Sequence, residues 1–187
     1  MRKTLYFATF LTVTSMLVTI IAYLGYEATQ PRIIANRNKK IDDNIALIYD
    51  PDDGYQKNED QAYNTYREKN RNYDVINEIY EVLDGNGEIH ALIYDMTSEG
   101  RNGPVSALIA VNPFTKTVEA VVYYKHSETP NIGERYTREE EISKLIGQSI
   151  NNYEIDLIAG ASTTWGAIDD MFAQLKIHFN AEVNING

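Results

Sequence analysis

Three hydroxyl side chains stand together at Ser162-Thr163-Thr164, directly after the small pair Gly160-Ala161 and ahead of a run with helical spacing. A helix N-terminus exposes backbone N–H groups that have no intrahelical partner and carries partial positive charge, so it can hold a phosphate. Gly160 and Ala161 would let that phosphate approach the backbone closely. The same residues also suit a plain Ser or Thr N-cap with nothing bound, and their spacing leaves both readings open. A second group is His126-Ser127-Glu128-Thr129-Pro130-Asn131-Ile132-Gly133. Pro130 fixes its own φ, and Asn131 and Gly133 tolerate left-handed backbone, so this loop has a defined shape suited to presenting backbone donors. His126 taken singly reads as a hydrogen-bonded loop residue. No acid, base and nucleophile set converges in the chain, so no catalytic residue is assigned.

Other chemistries fail on particular residues. A serine-hydrolase elbow, G-x-S-x-G, needs glycine at position 164, where Thr stands. Nucleotide loops of the dinucleotide or triphosphate type need further glycines or a lysine before the hydroxyl. Asp50, Asp52 and Asp53 suggest calcium, yet an EF-hand loop starting at Asp50 would place Tyr55 where glycine is required and Gln61 where a bidentate Glu belongs. No metal site is assigned. The chain has no cysteine, which excludes disulfides, cysteine-ligated metals and thiol catalysis. With 17 Lys+Arg against 27 Asp+Glu and a formal charge of −10, it lacks the basic surface that nucleic acid demands. Any phosphate must be gripped locally.

The elements that position these residues follow from length and periodicity. At 187 residues there is room for one domain and an appendage. The appendage comes first. Residues 5–26 carry no formal charge, and as a helix rising about 1.5 Å per residue they would span roughly 30 Å of hydrocarbon. A cleaved signal peptide is the competing reading, but the apolar run is too long and no A-x-A site follows. Residues 1–4 form the flank, 5–26 the transmembrane helix and 27–72 a linker with an irregular or helical segment. Ala8, Thr12, Ser15, Thr19 and Ala22 line small side chains along one stripe, where another helix can pack. Arg2 and Lys3 precede the span while Arg32, Arg37, Lys39 and Lys40 follow it, so the charge rule alone leaves the orientation open.

Residues 73–187 read as an α+β domain. Val75 to Leu83 alternates as a strand, Asp84-Gly85-Asn86-Gly87 is turn chemistry, and Ile89, Ala91 and Ile93 share a face. Val105, Ala107, Ile109 and Val111 alternate next, then Val118, Ala120, Val122 and Tyr124, with Asn112-Pro113 opening the turn between. Four consecutive strands with short turns imply an antiparallel sheet. Helices close the chain: Thr137-Arg138-Glu139-Glu140 reads as a capping box, and Trp165, Ile168, Met171, Phe172, Leu175 and Phe179 keep helical spacing from about Ser162.

Together the two motifs resemble those of the FMN-binding domain found in the G subunit of the Rnf electron-transport complex and the C subunit of the sodium-translocating NADH:quinone oxidoreductase. In that family an anchor helix and a loop of the type E-T-P-G-L-G precede an attachment motif of the type D-x-x-[ST]-G-A-[ST]. Glu128-Thr129-Pro130 and Gly133 match the loop, and Asp156, Gly160, Ala161 and Ser162 match the attachment motif. Asn131-Ile132 replace Gly-Leu, Ala159 stands where a hydroxyl is usual, and Ser162 stands where Thr is commoner. The resemblance implies FMN esterified through its phosphate to Ser162 by a separate flavin transferase. Gly160, Ala161, Thr163 and Thr164 would line the phosphate, with Glu128, Thr129, Pro130 and Gly133 in the facing loop. It further implies an electron-transfer subunit rather than an independent catalyst, working with other membrane subunits of an Rnf-like, ion-coupled complex. The domain would lie on the extracytoplasmic face of a bacterial inner membrane. A stand-alone tethered FMN carrier and a flavin-free extracytoplasmic interaction domain are the alternatives. Trp165 is unusual at its place and reads either as a flavin neighbour or as core.

Overall fold

The computed structural model describes residues 2–58 and 73–183. Residues 59–72 of the expected linker, and 184–187 of the expected domain, lie outside the described residues. The chain divides into two compact units, Met1–Asp42 and Asp43–Gly187.

The first unit is helical throughout its described residues, as part of α1 (Arg2–Ile48). The helix passes through Pro31 rather than ending near Tyr26. Part of it is long and apolar enough to cross a membrane, and none of that stretch is buried, which fits a single-pass anchor. Along the small-residue stripe, Thr12 Oγ1 donates to Ala8 O and Thr19 Oγ1 to Ser15 O, each at 2.9 Å. Those hydroxyl protons are satisfied within the helix, so the stripe presents mainly methyl groups and small contours suited to close van der Waals packing.

In the second unit, Asp50 accepts a hydrogen bond from Asp52 N at 2.9 Å and caps the short 3-10 turn Pro51–Asp53. The Asp50 carboxylate, a calcium ligand by residue type, is thus a turn cap. The sheet has five strands in the order β1 (Gln56–Asn58), β2 (Ile76–Leu83), β3 (Ile89–Glu99), β4 (Pro104–Asn112) and β5 (Thr117–Lys125), all antiparallel. Sequence alternation anticipates β2 to β5 and misses β1. That strand is three residues long and polar, too short to show a period, and the sheet edge supplies its pairing.

Two helices follow, α2 (Glu139–Leu145) and α3 (Ser162–Glu182). The expected capping box does not form. Thr137 ends a 3-10 turn (Gly133–Thr137) and donates to Glu134 O at 2.9 Å, while Arg138 takes the N-cap position with no side-chain bond. Glu139, Glu140 and Glu141 in the first turn of α2 complement its positive end instead.

α3 lays Ile168, Met171, Phe172, Leu175 and Phe179 against Leu92, Tyr94, Met96, Val105, Ala107, Ile109 and Val111, forming the core on one face of the sheet. Each large apolar side chain buried there contributes about 1.5–3 kcal/mol. Between the helices the chain runs along the outer edge of β5, where Val118 N donates to Gln148 O and Ile150 N to Lys116 O, both at 2.9 Å. This edge pairing delivers residues 151–161 to the start of α3.

Candidate functional site

The connection into α3 belongs to no strand, so its backbone groups need other partners. Side chains supply them in sequence. The Gln148 amide donates to Glu154 O at 3.1 Å and accepts from Glu154 N at 2.6 Å. The Trp165 indole donates to Ile155 O at 2.9 Å. Tyr136 donates its phenol proton to Asp156 O and accepts from Ile158 N, both at 2.9 Å. Burial pushes the Tyr136 phenol above its ordinary pKa, with smaller contributions from Glu141 and Asp156, so it stays a neutral donor. Lys144 joins Glu141 at 2.8 Å and Asp156 at 3.1 Å. Trp165 packs partly buried against the core, with its indole donor already engaged.

The segment then turns at Gly160, whose φ of +82° is the left-handed region that favours glycine. The nearest atom to a Cβ built there would be Ile132 Cγ2 at 3.6 Å, which leaves the turn open on its outer side. Ala161, not a hydroxyl residue, occupies the N-cap of α3 and offers no side-chain bond. The first turn holds no acidic residue either. The positive end of a 21-residue helix is therefore neither capped by its N-cap side chain nor complemented by charge from its own sequence. α2, with three glutamates in its first turn, shows the ordinary alternative.

Ser162 and Thr163 are exposed in that first turn, and Thr164 is buried. The plain cap reading of Ser162 fails in its simple form, since Ser162 is the first helical residue and its hydroxyl makes no capping bond. A phosphate fits here: an open glycine turn, an uncapped helix end and an exposed hydroxyl all face solvent. Leu157, 64% exposed, and Ile132, 38% exposed, put apolar surface beside the turn.

The loop ahead of the 3-10 turn is equally determined. Asn131 adopts φ +60°, and Ile132 N and Glu134 N both donate to Thr129 O, at 3.1 and 3.2 Å. Asn131 N donates to Glu134 Oε2 at 3.0 Å, and Arg138 bridges Asn131 Oδ1 and Glu134 Oε2 at 2.7 Å each. The hydrogen bond from Arg138, helped by the Asn131 amide, holds the pKa of the Glu134 carboxyl down at about 2. His126 departs from the hydrogen-bonded role: its buried Nδ1 has no partner.

Glu128 joins the two motifs. Its side chain is 5% exposed, Oε1 accepts from Asn102 N at 3.1 Å, and Oε2 accepts from the Thr164 hydroxyl. Asn102 Nδ2 also donates to Thr129 Oγ1 at 2.9 Å. Gly133 is buried beside this carboxylate, and Pro130 is exposed at the loop's outer edge. The loop of Glu128, Thr129, Pro130 and Gly133 and the turn of Gly160, Ala161, Ser162, Thr163 and Thr164 thus meet in space. Sequence reading misses Tyr136, Asn102 and Gly100, a glycine of the β3–β4 connection that leaves space for the Glu128 carboxylate. Each acts through contacts made across the fold, and no spacing rule marks such contacts.

Fold and site together describe an α+β binding domain with an open, uncapped helix end presented by two converging loops. Residues 100–175 match the family model of the FMN-binding domain. The resemblance carried by the two motifs is thereby shown, since both lie within that segment. NqrC of Shewanella oneidensis has a similar solved structure, at 20% identity over 55% of this chain and 58% of that one, with a TM-score of 0.46. The corresponding component of the Na(+)-translocating NADH-quinone reductase from Parabacteroides distasonis, also an NqrC, is 19% identical over 57% of this chain and 63% of its own, again with a TM-score of 0.46. The chain spans about three fifths of the length of these two structures. No curated protein matches it.

Proposed function

We propose that this protein is a membrane-anchored electron-transfer flavoprotein subunit that carries FMN covalently through a phosphoester to Ser162. The observation that carries the reading is the exposed Ser162 hydroxyl in the first turn of α3, beside an open glycine turn and with no acidic residue or capping side chain competing for the helix end. Attachment needs a flavin transferase and an activated flavin nucleotide. Ser162 would supply the oxygen that takes the flavin phosphate, its hydroxyl proton passing to a base of the transferase while the donor's anhydride bond breaks and the second nucleotide leaves with its own phosphate. Backbone N–H groups at the start of α3 would hold the remaining phosphate charge, with Gly160 and Ala161 leaving room for it. Thr163 continues that turn and Thr129 and Pro130 shape the opposite wall, while buried Glu128, Gly133 and Thr164 pack behind it. Bound flavin supplies reversible one- and two-electron chemistry; the protein contributes position and dielectric environment.

Resemblance supports an extracytoplasmic domain on a bacterial inner membrane, working with other membrane subunits in an Rnf-like, ion-coupled complex. The methyl-faced stripe of Ala8, Thr12, Ser15, Thr19 and Ala22 supports a helix partner. The test is denaturing electrophoresis of the full chain co-produced with a flavin transferase. The band should fluoresce under ultraviolet light, Ser162→Ala should darken it, and Thr163→Ala should leave it bright. A dark wild-type band beside a flavinylated control substrate refutes the reading.

A further inference from the structure

Glu128 sits in a space that two glycines vacate. A Cβ on Gly100 would lie 2.5 Å from Glu128 Oε1, and a Cβ on Gly133 would lie 2.6 Å from Glu128 Oε2 and 2.5 Å from Thr164 Oγ1. Real Cβ atoms do not approach that closely, so both positions must stay bare for the carboxylate to reach its donors. Those donors come from separate parts of the chain. Asn102 N belongs to the connection between β3 and β4, and the Thr164 hydroxyl belongs to the first turn of α3. The β3–β4 connection is itself closed by Gly100 N donating to Gly103 O at 3.0 Å. With both oxygens engaged and the side chain 5% exposed, Glu128 faces protein rather than an incoming ligand.

Thr164 follows Ser162 by two residues. On an α-helix two residues turn through about 200°, so a Thr164 side chain fixed inward turns Ser162 outward. Ala161 gives the helix no side-chain cap, so two side-chain bonds hold this first turn, Thr164 to Glu128 from inside and the Trp165 indole to Ile155 O at 2.9 Å. Without a cap or a tether a helix end frays.

We propose that Glu128 is a positioning residue: its carboxylate, seated between Gly100 and Gly133, sets the rotation of the first turn of α3 and so presents Ser162 for modification. The proposal rests on Ser162 being the attachment site, and it gives Glu128 a role through Thr164 rather than through contact with flavin. Glutamine can keep the arrangement. Its amide oxygen accepts from Asn102 N, and its NH2 donates to Thr164 Oγ1. Alanine loses both bonds, and Thr164→Val removes the hydroxyl at nearly constant volume.

The experiment uses the full chain in detergent. Without transferase, amide exchange is read at Asn102 and at Trp165, whose N–H makes the first bond of the helix, to Ala161 O at 2.8 Å. With transferase, flavin per chain is read by intact mass. Glu128→Ala and Thr164→Val should each speed Trp165 exchange about tenfold or more, with Asn102 following in Glu128→Ala. Both should lower flavin occupancy several-fold. Glu128→Gln and Thr164→Ser should restore exchange and occupancy to within about twofold of wild type. Thr164→Val keeps the test decisive where Glu128→Ala fails to fold. Two results overturn the proposal: Glu128→Gln as poorly flavinylated as Glu128→Ala while its amides stay protected, or Thr164→Val with wild-type exchange and occupancy. Wild type without flavin would refute the attachment reading, and the exchange measurements would still decide whether the tether exists.

Discussion

Tyr136→Phe isolates one atom that holds the attachment segment. The phenol oxygen is bonded on both sides, to Asp156 O and from Ile158 N at 2.9 Å each, and the ring is 4% exposed. Phenylalanine keeps the ring packing and deletes only those bonds. The Asp156 carbonyl lies on an exposed residue and can return to water, whereas Ile158 is 7% exposed and its N–H is left unpaired. Leaving a buried donor unpaired costs about 1–3 kcal/mol, in place of the roughly 1 kcal/mol that a net hydrogen bond contributes, which puts the loss near 2 kcal/mol. For a domain of this size the shift in midpoint temperature is roughly 6–12 °C. Urea unfolding of the full chain in mild detergent at pH 7, followed by near-ultraviolet circular dichroism, measures it. The pH matters because the folded pKa of Tyr136 is raised above its ordinary value of 10. That contribution is fully present below pH 10 and is lost as pH rises beyond it, so at pH 7 the phenol is neutral in both states. A loss below about 0.5 kcal/mol would refute the claim that this hydroxyl holds residues 156–158 in place.

Other outcomes follow from the same contacts. Phe172, 1% exposed and tilted against Tyr153 at a ring separation of 5.1 Å, should cost about 3–5 kcal/mol when changed to Ala, read by the same unfolding assay. His178 is fully buried, bonded through Nδ1 to Tyr94 at 3.1 Å, and burial lowers its pKa from 6.5 to about 4. Because the unfolded chain takes up that proton first, stability should be intact above pH 6.5 and fall by up to a few kcal/mol as pH drops towards 4. His178→Asn should flatten this slope, and an unchanged slope would assign it to other groups. Gly160→Val should lower stability by about 1–2 kcal/mol through its left-handed backbone, although the nearest neighbour, Ile132 Cγ2, leaves room for the side chain.

What can be read from the sequence divides along a physical line. β2 to β5 and α3 follow from periods of two and 3.6, because each buries one face against the other. Polar β1 has no such face, and it forms because the free edge of β2 accepts it. The capping box at Thr137 fits the local pattern but loses to a 3-10 turn whose geometry is set by the Asn131–Glu134–Arg138 cluster. At the site, Gly160 to Thr164 and Glu128 to Gly133 are visible as turn chemistry and as a family resemblance. Their convergence is not visible, because it depends on Asn102, on Gly100 and on a tyrosine hydroxyl reaching across the fold. The same limit applies to Trp165. Its position in the first turn suggests a flavin neighbour or a core residue, and the bond to Ile155 O engages the indole in holding the connection into α3.

Flavin attachment turns on one oxygen, and intact mass spectrometry of the purified full chain decides it. After co-production with a flavin transferase, the chain should gain one flavin mononucleotide less one water, mapped by fragmentation to Ser162. An unmodified mass from cells in which the transferase is active, or the same gain mapped to another residue, would contradict it.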